Sequence, residues 1–377
     1  MTDSAPADLR SIADYERAAR ELLPEAMWHG MFGDYGEAGW ETNANNIDAL
    51  RRVKLNPRVL VDVSHRSLAT TALGRPITLP VIVSPTGHNQ RVHADGEAAM
   101  ARGTGGAGTI MGLSSRSSFS IDEITAAATG DLWFALYVMR DRRINEALVR
   151  QAEEAGFSAL VLTVDVPGVS PRGAYARIAS IAGPTDLHTF QPERANRILR
   201  DLKLPGVEIP SETEFMASLD DALTWEDLDW FRSITSMPIV IKGIQSAQDA
   251  ARCRDLGVDA LVVSNHGGYA MLDARPTIEV LPEVVAVSGD TEVFVDGGVR
   301  HGADVLKFLA LGARGVLVGR ATLWGLAVGG SDGVTAVLDL LRDELDTAMA
   351  LCGVTDVTRV DPGLVAAVGG SAPFAGT

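Results

Sequence analysis

The stretch 238-PIVIKGIQSAQDAARCRDLGVDALVVSNHGG-268 contains a strand, a helix and a second strand in succession. PIVIKG and ALVV are short apolar runs without strict alternation, the pattern of strands buried on both faces. The intervening 246-SAQDAARCRDLG-257 closes on Gly, the residue that best tolerates the left-handed position after a helix. The same unit recurs in both directions. Apolar runs stand at 80-PVIVSPT-86, 109-TIMGLSS-115, 132-LWFALYV-138, 158-SALVLTVD-165, 292-EVFVDGG-298 and 315-GVLVGR-320, which brings the strands to eight. Helical stretches at 142–156 and 301–312 also close on Gly. Eight strands, each followed by a helix, is the count of an α/β fold of the (β/α)8 TIM-barrel type. A doubly wound open sheet does not need eight units, and no GxGxxG follows the first strand.

Two segments fall outside that count. Residues 1–79 precede the first strand and read as partly helical, notably 11-SIADYERAARELLP-24. Residues 166–223 separate the fourth strand from its helix, 224-TWEDLDWFRSI-234, and contain PGVSPRG, GPTD and LPGVEIP. A long insertion of this composition at a βα connection reads as a lid on the catalytic face. The expected organisation is one barrel domain over 1–377, with an N-terminal helical extension and this lid.

Composition narrows the function. Asp and Glu total 49 against 33 Lys and Arg, for a net charge of −16 over 377 residues. Such a chain repels phosphate backbones and anionic lipid, so neither nucleic acid nor a membrane is an expected partner. No apolar run reaches the length of a membrane span, and MTDSAPADLR lacks a signal pattern, so a cytoplasmic location is expected. The two cysteines, Cys253 and Cys352, build neither a disulfide framework nor a metal cluster, so no metal is expected.

A barrel brings the C-terminal ends of its strands to one mouth. Those ends read Ser84-Pro85-Thr86, Ser114, Tyr137, Thr163 with Asp165, Lys242, Ser264 with His266, Asp296 with Arg300, and Gly319-Arg320. The glycines, helix starts and arginines of 296-DGGVRHG-302 and 319-GR-320 form an anion site, where backbone N–H groups and positive charge meet a phosphate. In 263-VSNHGG-268, His266 stands at a strand end before two glycines and is placed to exchange protons. Asp165, two strands away, can orient the ring and stabilise imidazolium. Lys242, on the strand between, either stabilises negative charge developing on a cofactor or pairs with an acid inside the barrel.

These motifs resemble one family over almost the whole chain. SNHGG at 264–268, DGGVRHGADVLK at 296–307, LGARGVLVGR at 311–320, TVDVP at 163–167 and the IKG around Lys242 are similar to the FMN-dependent 2-hydroxy-acid oxidases and dehydrogenases, which include glycolate, lactate and mandelate oxidases. The resemblance implies FMN as cofactor. It implies that Pro85, Thr86, Ser114 and Thr163 contact the flavin ring, with Lys242 near its N1 and C2 carbonyl and Ser264 at the ribityl chain or ring edge. Asp296, Gly298, Arg300, Gly319 and Arg320 would hold the ribityl chain and phosphate. His266 would take the substrate proton, backed by Asp165. Tyr137 would bond the reacting oxygen, and Arg172, in the lid, would approach the substrate. Segments 84-SPTG-87 and 109-TIMGLSS-115 also resemble pre-mycofactocin synthase, which oxidises an amine-bearing lactam.

The departures bear on the substrate. The family's carboxylate anchors are a Tyr in the N-terminal segment and an Arg three residues after the catalytic His. Here Gly30 or Met31 and Tyr269 stand at those positions, Ala135 replaces a Gln beside the flavin, and Arg116 replaces an aromatic. Loss of both anchors removes about 2–5 kcal/mol from binding a desolvated carboxylate. Either the cation has moved, to Arg116 or Arg275, or the substrate lacks an α-carboxylate. Gly30, Gly87 and Ala135 are expected to enlarge the site. The reading that follows is an FMN oxidoreductase removing hydride from a carbon bearing OH or NH2 on a bulky substrate, with an ordinary 2-hydroxy-acid oxidase anchored by Arg116 as the alternative. Two other classes are a flavin-binding protein with little turnover and a flavin-free isomerase of phosphorylated sugars. Oxygen, a quinone or a carrier protein could accept the electrons, and the resemblance implies a homo-oligomer such as a tetramer.

Overall fold

In a computed structural model of the chain, the described residues are 8–32, 39–167, 196–210, 212–271 and 273–367. Eight parallel strands form a closed barrel: β1 (Val81–Thr86), β2 (Met111–Ser114), β3 (Leu132–Tyr137), β4 (Ala159–Thr163), β5 (Ile239–Ile244), β6 (Ala260–Val263), β7 (Glu292–Asp296) and β8 (Gly315–Val318). Each pairs with the next, and β8 closes on β1 with Val316 opposite Val81. The expected strands are all present, with ends shifted by a few residues.

The apolar runs lack alternation because both faces of every strand are covered. Ile82, Trp133, Ala135, Val240, Phe294 and Leu317 fill the barrel interior, where Trp133 meets Phe294 edge-on at 5.4 Å. Val81, Leu113, Phe134, Leu160 and Ile241 instead pack with residues of the helical layer. A hairpin of Thr70–Ala72 and Arg75–Ile77 adds Ala72 and Ile77 to the interior cluster. Its Leu73 N–H donates to Glu292, the first residue of β7, at 3.0 Å, so the hairpin seals the end opposite the mouth.

The helices are α1 (Ile12–Leu22), α2 (Glu25–Phe32), α3 (Gly39–Arg52), α4 (Gly96–Gly106), α5 (Ile121–Ala127), α6 (Arg142–Glu154), α7 (Asp227–Ile234), α8 (Ala247–Asp255), α9 (Thr277–Ser288), α10 (Gly302–Ala310) and α11 (Arg320–Cys352). Local chemistry starts them. Ser120 and Glu123 form a reciprocal capping box on α5, and Asp141 accepts the Arg143 N–H at the start of α6. Helix α6 then buries Ile144, Leu148 and Ala152 along one face. Helix α11 bends at Gly329 and Gly330, and α1 packs against it. The strand Val53–Leu55 pairs antiparallel with Val365–Ala367, so the N-terminal extension is joined to the far end of the fold. None of these helices is long and apolar enough to cross a membrane.

The insertion after β4 departs from an irregular lid where it is described. Short helices at Arg197–Arg200 and Glu212–Phe215 bury Leu199 and Phe215 completely, and Leu219 forms a bridge with Met139 just after β3. The apolar residues of 196–223 supply enough buried surface to pack this part onto the barrel.

Candidate active site

Two irregularities in the ladder shape the mouth. Register shifts occur between Val83 and Thr86 of β1 and between Lys242 and Ile244 of β5. Such bulges re-aim side chains at a barrel rim. At the second, Gly243 has φ +120, and a Cβ there would lie 2.6 Å from Asp165 Cβ. The glycine lets β5 pass against the acid.

His266 follows β6 in a tight turn. Its φ is +55, and Gly267 and Gly268 follow at +60 and +89. A left-handed non-glycine residue costs energy and persists only where its surroundings enforce it. Here the His266 N–H donates to Ser264 Oγ at 3.1 Å and the Gly267 N–H to Asn265 Oδ1 at 3.1 Å. Asn265 exchanges amide bonds with Asn46 of α3, at 2.8 and 3.0 Å. The N-terminal extension therefore fixes the turn that carries the imidazole.

The ring is held on both nitrogens. Nδ1 lies 3.1 Å from each carboxylate oxygen of Asp165, and Nε2 lies 3.2 Å from Tyr137 Oη. Burial raises the Asp165 carboxyl, but His266 and Lys242 outweigh it and hold it below the ordinary carboxylate range. The Asp165 carboxylate is thus favoured behind the imidazole, at the far nitrogen from Tyr137. This is the arrangement of a proton acceptor whose charged form is stabilised from behind.

Lys242 meets the acid inside the barrel. Its Nζ donates to Ser264 Oγ at 3.0 Å and lies 3.2 Å from Asp296 Oδ2, to which Ser264 donates at 2.9 Å. Burial pushes the ammonium pKa down, but the negative charges of Asp296 and Asp165 prevail and hold it above the usual lysine value. Asp296 Oδ1 is buried without a protein partner and is an acceptor available to a bound hydroxyl.

These groups border a cavity of about 200 Å³ at the strand ends. Among the described residues, its charged lining is Arg91, Arg116, Lys242, Arg300 and Arg320 against Asp296 alone, in a protein whose net charge is −16. The mouth is built for anions. On its β7–β8 side, Arg300 lies over Trp324 at 4.6 Å, and burial together with Arg320 pushes its pKa down to about 10. Two guanidiniums that oppose each other's charge beside the N-terminus of α11 make a site that an anion relieves.

Most expected site residues meet here. Pro85, Thr86, Ser114, Gly298 and Gly319 line the cavity, and Ser264 and Asp165 stand behind lining residues. Several expectations need correction. Thr163 does not line this cavity; it borders a second one, of about 430 Å³, between β4, β5 and α7. Arg275 is no anchor, because it turns away to pair with Glu283 at 2.8 Å. Tyr269 lines the cavity, but its hydroxyl donates to the Met31 carbonyl while Arg320 covers its ring at 4.9 Å. Ala135 is packed in the barrel interior, so its small size does not enlarge the cavity. Nor does Gly87: a Cβ there would lie 2.8 Å from Arg116 Cβ, so the space is taken by that arginine. Arg172 lies outside the described residues. The strand-end reading missed Arg91 and His88, which lie one turn beyond β1, and Phe215, which arrives from the insertion. The spacing of Arg91 from the end of β1 was the only available signal for the first.

The comparisons with known proteins agree with this geometry. Residues 19–367 match the family described as FMN-dependent dehydrogenase. The chain is 40% identical over 374 residues to peroxisomal (S)-2-hydroxy-acid oxidase GLO4 of Oryza sativa subsp. japonica, covering 96% of each. It is 40% identical over 361 residues to the L-lactate oxidase of a Nostoc strain, covering 93% of this chain and 96% of that one. Among solved structures, a soluble mutant of the membrane-associated (S)-mandelate dehydrogenase of Pseudomonas putida superposes with a TM-score of 0.81 at 35% identity, covering 95% and 99% of the two chains. With that match running through the barrel and the site alike, the chain belongs to the FMN-dependent dehydrogenases, a family of TIM-barrel flavoenzymes.

Proposed function

We propose that this flavoenzyme oxidises the CH–OH carbon of a small 2-hydroxy acid. The carrying observation is the imidazole of His266, held between Asp165 at 3.1 Å and Tyr137 at 3.2 Å on the wall of a cationic cavity. The residues present fit FMN. Arg300, Arg320 and the first turn of α11 suit its phosphate, and the partnerless Asp296 Oδ1 suits a ribityl hydroxyl. Pro85, Thr86, Ser114 and Lys242, which line the same cavity with Ser264 behind Lys242, would hold the ring. When bound, FMN supplies the two-electron acceptor for the substrate's hydride.

The chain's own residues handle the proton. Tyr137 Oη donates to or accepts from the substrate oxygen and so orients it toward His266 Nε2. His266 takes the hydroxyl proton at Nε2, and Asp165 stabilises the imidazolium through Nδ1. Lys242, whose ammonium is favoured by Asp296 and Asp165, lends positive charge to the cavity wall and would stabilise negative charge on a reduced cofactor.

The test is anaerobic bleaching of the purified yellow protein by 2-hydroxy acids, their esters, amino acids and cyclic amines. A 2-hydroxy acid should bleach it fastest. His266→Ala should keep its FMN yet bleach about 10²–10⁴-fold more slowly, the usual contribution of acid–base catalysis. Bleaching by an amine or ester in preference to the matching acid would overturn the substrate assignment. An unchanged rate in the variant would remove His266 from the reaction.

A further inference from the structure

The cavity has a second cationic side, opposite in origin to the β7–β8 arginines. Arg116 comes from the loop after β2, and Arg91 and His88 come from the loop after β1. All three line the cavity. Arg116 is held by its backbone at both ends. Its N–H donates to Ser114 Oγ at 3.2 Å, and its carbonyl accepts from the His88 N–H at 3.1 Å. Gly87 lets the two loops close, because any Cβ there would meet Arg116 Cβ at 2.8 Å and its carbonyl oxygen at 3.2 Å. The root of the side chain is therefore fixed before any ligand arrives.

The guanidinium end is positioned as well. Arg116 Cζ lies over the ring of Phe215 at 5.1 Å, and Phe215 is completely buried. Phe215 meets Tyr137 edge-on at 6.0 Å, and Tyr137 Oη lies 3.2 Å from His266 Nε2. One aromatic ring thus lies between the cation and the Tyr137–His266 pair.

The geometry points to Arg116 as the carboxylate receptor of this site, a specificity-determining residue that holds a small organic acid by its carboxylate with the neighbouring carbon toward Tyr137 and His266. A planar guanidinium matches a carboxylate with two parallel bonds, and a fixed root reduces the ordering cost of forming them. The assignment rests on the proposed 2-hydroxy-acid chemistry for the direction of the ligand.

Equilibrium binding tests it without turnover. The probes are pyruvate and phenylglyoxylate, with pyruvamide as the neutral control, titrated into FMN-loaded protein and followed by calorimetry and by the flavin absorption band. Arg116→Gln should weaken both acids by about 10–100-fold, the range of a charge-assisted bond, and change pyruvamide by less than about threefold. Arg116→Lys should recover part of the loss. FMN content should stay at the unsubstituted level in both variants. Equal losses for acid and amide would show that Arg116 only fills space, and unchanged acid affinity would show that the receptor lies elsewhere. Failure of the unsubstituted protein to bind either acid would also overturn the assignment. Bleaching by a 2-hydroxy acid together with unchanged acid affinity in Arg116→Gln would defeat the receptor while leaving the reaction standing. Arg116-dependent acid binding without bleaching would do the reverse.

Discussion

Replacing Glu97 with Gln should change the pH dependence of stability by an amount the structure supplies. Glu97 is the second residue of α4 and is completely buried. Its Oε1 accepts the Asn89 N–H at 2.9 Å and the Ser118 N–H at 3.2 Å, while Oε2 is buried with no partner. Burial, opposed by these bonds, pushes the carboxyl up from 4.5 to about 7. The folded state therefore holds this proton more tightly than the unfolded chain. The stabilisation is fully present below pH 4.5 and is lost as pH rises to about 7. At about 1.4 kcal/mol per unit, a displacement of roughly two and a half units amounts to about 3 kcal/mol. Glu97→Gln keeps an oxygen for both N–H groups and removes the titration. Urea unfolding of FMN-saturated protein at pH 5, 6, 7 and 8 gives the comparison. The stability difference, variant minus parent, should rise by about 2–3 kcal/mol from pH 5 to pH 8, because other titrating groups cancel. Parallel pH curves for the two proteins would refute the reasoning.

Two further substitutions probe the site from below. Asp165→Asn removes the anion behind Nδ1, and flavin bleaching at saturating substrate should slow by about 10²–10⁴-fold with FMN still bound; an unaltered rate would leave Asp165 without a part in the proton transfer. Lys242→Met leaves Asp296 buried and unpaired, so unfolding free energy should fall by about 3–5 kcal/mol, and adding Asp296→Asn should recover most of it; a single variant as stable as the parent would show that the pair is not coupled.

The barrel was legible because burial on both faces leaves a plain mark in sequence. Runs such as 260-ALVV-263 cannot alternate when helices cover one side and other strands fill the other. The candidate site was legible for a related reason: β4, β5 and β6 end side by side, so Asp165, Lys242 and His266 come together. What failed to show was direction. Arg275 and Arg116 are both arginines near the mouth in sequence, but one folds back along α9 to Glu283 and the other is turned inward by the Ser114 and His88 bonds. No periodicity encodes that difference. Gly87 and Ala135 read as open space by residue size, whereas packing gave one space to Arg116 and the other to the barrel interior. Phe215 was hidden by the length of the insertion that carries it.

The pairing of Val53–Leu55 with Val365–Ala367 has a consequence for how the molecule is made. Asn56 and Gly363 also bond at a separation of 307 residues, and Arg66 reaches Asp346. A nascent chain on the ribosome would hold its first three helices and the seven earlier strands exposed until β8 and these last partners emerged. Contacts this far apart close slowly, because loop entropy must be overcome before they reward the chain. The segment that steadies the His266 turn is thus synthesised well before the partners it packs against, and it finds its place only after they emerge.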